Sequence, residues 1–206
     1  ARCHGLSPGE AARILHDVTP PGRAIGFWVA ALRELFEETG LLIAREGAGT
    51  LVAGDAGAVA GLADQRARCR RDPGAFPAVL AVEGLVLALD RMAYCAHWIT
   101  PEERPVRYDA RFFLAVAPPA AAPDPDGVEM VRACWLTPAE ALARHASGDL
   151  LLPFPTRETL RTLVGLPTAD ALLTAARGTA VRAVRPRVVR EGGRERILLP
   201  GDPGYS

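Results

Sequence analysis

Arg33-Glu34-Leu35-Phe36-Glu37-Glu38-Thr39-Gly40-Leu41 is the stretch on which the reading of this chain turns. On a helix at about 100° per residue, Glu34, Glu37 and Glu38 fall within an arc of roughly 100°. Ile25, Trp28, Val29, Leu32, Leu35 and Phe36 fall on the opposite side, so the pattern predicts an amphipathic helix over Ala24 to Thr39. Gly40 follows as a left-handed cap. Like charges three and four residues apart repel by a few tenths of a kcal/mol per pair. A hard divalent cation, Mg²⁺ or Mn²⁺, removes that repulsion and takes a few carboxylates together with phosphate oxygens and water. The competing reading of the three glutamates alone is a solvated acidic face on a surface helix, since Glu is a good helix former.

The surrounding chain sets bounds on function. Its 206 residues are 49% hydrophobic and 23% charged, enough apolar content to bury a core, and one domain over 1–206 is expected. Lys plus Arg and Asp plus Glu are both 24, and this neutrality argues against a nucleic-acid binder, which usually carries a basic surplus. No apolar run approaches the roughly 18 residues of a membrane span. No basic-then-apolar leader opens the sequence, so a cytoplasmic protein is expected. The chain has no Lys and no Asn, the composition of a high-GC bacterium, which discounts its Arg excess as a functional signal. Cys3, Cys69, Cys95 and Cys134 lack any Cys-x-x-Cys unit and are expected to be free, mostly buried thiols.

Ser7-Pro8-Gly9-Glu10 and Thr137-Pro138-Ala139-Glu140 both have the form of capping boxes, predicting helices to about His16 and His145. Further helices are expected over Ala58 to Arg71, Phe76 to Val82, Thr156 to Val164 and Thr168 to Arg177, with a Gly/Ala loop over 47–56. Strand signals occupy Leu41 to Ala44, Leu85 to Thr100, Val106 to Val116, Val128 to Leu136, Val181 to Val189 and Ile197 to Leu199. The mixture reads as α+β, with strands largely outside βαβ order. The run Arg66-Ala67-Arg68-Cys69-Arg70-Arg71 reads as a solvated helix face, with contact to a nucleotide 3′-phosphate as the alternative.

The string Arg33 to Leu41 resembles the C-terminal half of the Nudix box, G-x₅-E-x₇-R-E-U-x-E-E-x-G-U with U aliphatic, and meets every fixed position of that half. The upstream half is not met: its Glu would stand at Ile25 and its Gly at Thr19. His97-Trp98-Ile99-Thr100-Pro101, Arg107 to Leu114, Trp135 to Ala141 and Leu198 to Asp202 further resemble one Nudix branch, the animal organellar coenzyme A diphosphatase-like hydrolases and their bacterial relatives. In that branch an insertion separates the Gly-containing segment from the R-E-x-x-E-E helix. The resemblance implies an α/β/α sandwich, a Nudix-like mixed sheet flanked by helices. Residues 1–23 would be the insertion, 24–41 a partial Nudix box and 180–206 a C-terminal extension. The F-P-G-G segment and its strands are absent from the sequence, so an N-terminally truncated chain is expected, the alternative being a member that lacks part of the sheet and the backbone carbonyl that helps bind metal in the family. An unpaired sheet edge would then call for a second chain, as in a homodimer.

The resemblance also implies a chemistry. A nucleoside diphosphate linked to another moiety would be hydrolysed, with coenzyme A or an acyl-CoA as the best substrate and no nucleic-acid partner. Glu37 and Glu38 would be metal ligands, and Glu34 a ligand or the group that orients the water. Arg33 would hold a carboxylate of the helix, and Gly40 would end it. Glu129 is the candidate catalytic base, with Asp124 and Asp126 as weaker alternatives. Arg104, Arg107 and Arg111 could receive substrate phosphates, although solvated surface arginines are the plainer reading. The competing function is a truncated or degenerate Nudix fold that binds a nucleotide or a partner without catalysis.

Overall fold

A computed structural model describes residues 2–47, 49–52, 62–119 and 121–205. The chain divides into two compact units, Ala1–Ala93 with Ala115–Trp135, and Tyr94–Leu114 with Leu136–Ser206. Mixed α and β content with sheets flanked by helices is observed, as the sequence led us to expect.

In the first unit, α1 (Pro8–Ile14) starts on the Ser7–Glu10 capping box, both halves of which form. The amphipathic helix α2 spans Ile25–Thr39 and buries Trp28, Leu32 and Phe36. The Phe36 ring lies 6.1 Å from that of Phe76, which opens α4 (Phe76–Val82). Burying side chains of this size contributes about 1.5–3 kcal/mol each, and this seam fixes the rotation of α2. A three-stranded sheet is ordered β1 (Cys3–His4), β3 (Leu85–Ala88), β2 (Ala44–Glu46). The edge strand β1 runs parallel to β3 with Cys3 opposite Leu87, and β2 runs antiparallel with Ala44 opposite the same Leu87. Gly5, at φ +81°, passes so close to Asp90 that an added Cβ would stand 2.3 Å from the Asp90 Cβ. Asp90 in turn pairs with Arg45 of β2 at 2.6 Å.

Several local expectations are corrected. Leu41, Leu42 and Ile43 are buried but not in strand pairing, which begins at Ala44. The helix expected over Ala58 to Arg71 is seen as α3 (Leu62–Arg71); residues 58–61, like 53–56 of the expected loop, lie outside the described residues. The long strand expected over Leu85 to Thr100 is broken by a 3₁₀ turn at Leu89–Arg91, separating β3 from β4 (Met92–Ile99). No strand forms over Val128 to Leu136: Val128, Val131 and Trp135 are 73%, 81% and 66% exposed, so this apolar run covers no core.

The second unit holds most of β4 in a sheet ordered β5 (Asp109–Ala115), β4, β6 (Ala183–Val184). Helix α5 (Pro138–Ser147) starts on the complete Thr137–Glu140 capping box and ends on Gly148 at φ 86°. Helices α6 (Phe154–Leu163) and α7 (Ala169–Gly178) follow, then the hairpin β7 (Arg187–Glu191) and β8 (Arg194–Leu198). Trp98 is buried against the edge of Phe154 and donates its indole N–H to Thr159 Oγ1 at 3.0 Å, satisfying a polar atom that burial would otherwise penalise. Cys3, Cys69, Cys95 and Cys134 form no disulfide, but only Cys69 is buried; Cys3 and Cys95 are half-buried, and Cys134, on the strandless 128–136 segment, is exposed. Among the described residues no helix is long and apolar enough to cross a membrane.

Candidate active site

The last turn of α2 is where the site is built. The carbonyls at the end of a helix run out of intrahelical donors and are satisfied by the cap, by side chains, by other backbone or by water. Phe36 O accepts from Gly40 N at 2.9 Å, with Gly40 at φ 72°. Glu37 O accepts from Arg66 Nε of α3 at 3.0 Å. Glu38 O accepts from Asp126 N at 3.0 Å, and Thr39 O from Asp124 N at 2.8 Å. A segment about ninety residues downstream is thereby tied to the helix that carries the glutamates. Arg66, only 6% exposed, clamps both elements: Nη1 reaches Asp124 Oδ2 at 3.0 Å and Nη2 reaches Asp124 O at 2.7 Å.

The tied segment turns sharply. Asp126 Oδ1 accepts the backbone N–H groups of Val128, Glu129 and Met130 at 3.1, 3.1 and 2.8 Å. These bonds hold the Asp126 carboxyl below its usual range, that from Met130 most of all. The turn brings Glu129 to the carboxylates of α2. Glu34, Glu37, Glu38, Asp126 and Glu129 line one cavity of about 410 Å³, with Ala67, Arg70 and Arg71 of α3 as its other wall.

The helix carboxylates occupy distinct environments. Glu37 is 8% exposed; its Oε2 accepts from Arg33 Nη1 at 2.7 Å, and its Oε1 is buried without a hydrogen-bond partner among the described residues. Arg33 also pairs with Glu34, so one guanidinium fixes two of the three carboxylates. Glu38 has its carboxyl pushed above the usual glutamate range, first by burial and then by the negative charges of Glu129, Glu34, Asp126 and Glu37.

As placed, no three His, Cys, Asp or Glu side chains among the described residues are grouped as ligands of one ion. The donor set nevertheless fits a hard divalent cation: every candidate ligand is a carboxylate oxygen, one buried oxygen on Glu37 is unsatisfied, and negative charge accumulates around Glu38. Glu34, Glu37 and Glu38 are the residues that could hold the ion, with Asp126 and Glu129 lining the same cavity.

The other sequence candidates lie elsewhere. Arg104, Arg107 and Arg111 belong to the second unit. Arg104 pairs with Glu195 at 2.8 Å on the rim of a separate, largely apolar cavity of about 530 Å³. Arg111 pairs with Asp109 at 2.9 Å and is mostly buried, and Asp109 also meets His97 Nε2 at 2.5 Å. Arg107 is exposed and precedes β5 instead of sharing a strand face with Arg111. Asp124 serves Arg66, whereas Asp126 lines the cavity. The run Arg66 to Arg71 is a solvated face only in part: Arg68, Arg70 and Arg71 are exposed, Arg66 and Cys69 are buried, and Ala67, Arg70 and Arg71 line the cavity. Spacing of 67, 70 and 71 on one helical face is the signal that marks them in sequence; the clamp at Arg66 has none.

The family model of the NUDT19 Nudix domain matches residues 11–163. The chain is 28% identical over 191 residues to the human acyl-coenzyme A diphosphatase NUDT19, covering 88% of this chain and 51% of that protein. It is 31% identical over 204 residues to the NUDT19 of Gallus gallus, covering 90% and 53%. The chain thus spans about half the length of the curated relatives it matches. A crystal structure of a Nudix hydrolase from Alicyclobacillus acidocaldarius superposes with a TM-score of 0.64 at 29% identity, covering 84% of this chain and 70% of that one. Since the matched segment runs from α1 to the end of α6 and encloses both the carboxylate helix and the loop pinned to its end, the chain belongs to the NUDT19 Nudix domain family.

Proposed function

We propose that this protein is a Mg²⁺- or Mn²⁺-dependent diphosphatase whose small-molecule substrate is coenzyme A or an acyl-CoA, cleaved to 3′,5′-ADP and (acyl-)phosphopantetheine. One observation carries the reading: three glutamates of one helix face and a fourth on a loop tied to that helix line a single cavity. The likeness to acyl-coenzyme A diphosphatases supports the choice of substrate.

Each side chain has a role that follows from its surroundings. Glu37 and Glu38 present carboxylate oxygens to the cation, and Glu34 completes the set or orients the water. Arg33 holds Glu34 and Glu37 in place, which reduces the entropy lost on binding. A divalent cation bound here neutralises phosphate oxygens and favours ionisation of the attacking water. Glu129 takes the proton of that water as its oxygen bonds to one phosphorus; the bridging P–O bond breaks and the departing phosphate carries the electron pair away. The deciding experiment supplies coenzyme A and Mn²⁺ to the protein and measures 3′,5′-ADP release with and without chelator. Replacing Glu38 by Gln is expected to lower the rate by at least about a hundredfold, the size of a principal electrostatic stabiliser. Wild-type rates in E38Q would refute the site; Mn²⁺-dependent nucleotide binding without turnover would select the non-catalytic reading.

A further inference from the structure

We infer that α3 supplies the phosphate-binding cations of this site: Arg70 and Arg71 receive the non-bridging oxygens of the diphosphate, while the carboxylates opposite take the divalent cation. The inference rests on the diphosphatase reading and assigns the half of the cavity which that reading leaves unexplained.

Five carboxylates lining one cavity would repel a diphosphate, and one divalent cation offsets only part of their charge. The cavity therefore needs fixed positive charge, and α3 provides it. Ala67, Arg70 and Arg71 stand at i, i+3 and i+4, so they share one helical face, and all three line the cavity. Ala67 is short and leaves room between the helices. The neighbouring Leu62, Arg66 and Cys69 are buried, which locks the rotation of α3 and keeps that face toward the carboxylates. Arg66 adds direct bonds to Glu37 O and to Asp124.

The two guanidiniums are available. The Arg71 side chain makes no hydrogen bond or ion pair among the described residues and lines the cavity. Arg70 stands 3.8 Å from Asp126 Oδ2, beyond hydrogen-bond distance, so its donors remain unspent. By contrast, Arg104 and Arg111 are each committed to a carboxylate at 2.8 and 2.9 Å. The guanidinium fork matches two phosphate oxygens at once, which a lysine cannot reproduce. A second, independent pointer to a ligand is Glu37, which lines the same cavity and whose Oε1 is buried without a hydrogen-bond partner among the described residues. Basic residues in a last helical turn also complement the helix dipole. Arg68 does so equally, yet does not line the cavity, and it serves as the internal control.

The test uses the full chain, with Mn²⁺ and inorganic pyrophosphate as probes, by calorimetric titration. Mn²⁺ is titrated first, alone; pyrophosphate follows at saturating Mn²⁺. R70Q/R71Q is expected to weaken pyrophosphate binding at least about tenfold, two charge-assisted contacts being lost. Its Mn²⁺ affinity is expected to stay the same or rise, because two positive charges leave the site. R68Q is expected to bind pyrophosphate within about twofold of wild type, as for a solvated surface charge. Both positions are exposed, and a thermal melt matching wild type verifies the fold. Pyrophosphate binding by R70Q/R71Q equal to that of wild type overturns this inference and leaves the diphosphatase reading standing. A wild-type protein that binds no Mn²⁺ overturns the diphosphatase reading and this inference with it.

Discussion

Replacing Arg66 by Met tests whether the end of α2 is held as its hydrogen bonds indicate. Met keeps the apolar stem and removes the guanidinium. The Glu37 carbonyl then loses its donor, which costs about 1–3 kcal/mol for a buried acceptor left unmade. The bond to the Asp124 carbonyl is lost as well, about 1 kcal/mol more. The Asp124 carboxylate is 76% exposed and can be rehydrated, so its ion pair adds at most about 1 kcal/mol. The sum is a destabilisation of about 2–5 kcal/mol, read by urea denaturation, or a fall in melting temperature of roughly 4–20 °C for a chain of this size. D124N should cost about 1 kcal/mol or less. Amide exchange supplies the local readout: the Asp124 and Asp126 N–H groups, bonded to Thr39 and Glu38, should lose protection in R66M before the α1 amides do. A stability within about 0.5 kcal/mol of wild type, with those amides still protected, would refute the clamp.

Three further outcomes are expected. Because the Glu38 carboxyl is raised in the folded state, its ionisation opposes folding as pH rises above the ordinary glutamate value of 4.5. E38Q should therefore be more stable than wild type at neutral pH without divalent cations, by a few tenths of a kcal/mol per relieved pair, and the gain should vanish below the unfolded-state value. Melts across pH would check this, and a wild type more stable than E38Q at neutral pH without cations would reverse the sign. E129Q should lower turnover of coenzyme A by about a hundredfold or more while Mn²⁺ titration stays close to wild type, the split expected of a base that is not a ligand. Gly5→Ala should destabilise by about 2 kcal/mol or more, since it adds both left-handed strain and a clash with Asp90; unchanged urea stability would show that β1 has freedom to shift.

Legibility followed the range of the interactions. Both capping boxes, the extent of α2 and its Gly40 cap depend on residues three or four apart, so Ser7, Glu10, Thr137 and Glu140 declare themselves. The glutamate face is equally local, because helical geometry alone places Glu34, Glu37 and Glu38 together. The segment 128–136 carries a strand's residue types but lacks a neighbouring strand to pair with, and residue type cannot supply one. The interrupted strand at Leu89–Arg91 and the pairing of Cys3–His4 with Leu87–Ala88 are decided in the same way, by partners distant in sequence.

From its own letters the chain determined one half of the site: a helix with three carboxylates on one face and an apolar seam on the other. Tertiary structure decided the other half. The open carbonyls at the end of α2 needed donors, and Arg66, Asp124 and Asp126 supplied them from parts of the chain distant in sequence. Those bonds carried Glu129 to the glutamates, turned Arg70 and Arg71 toward them, and drew Arg66 out of a run that reads as solvated. Backbone hydrogen bonds carry no side-chain signature, so that closure is invisible in sequence and fixed only by the fold.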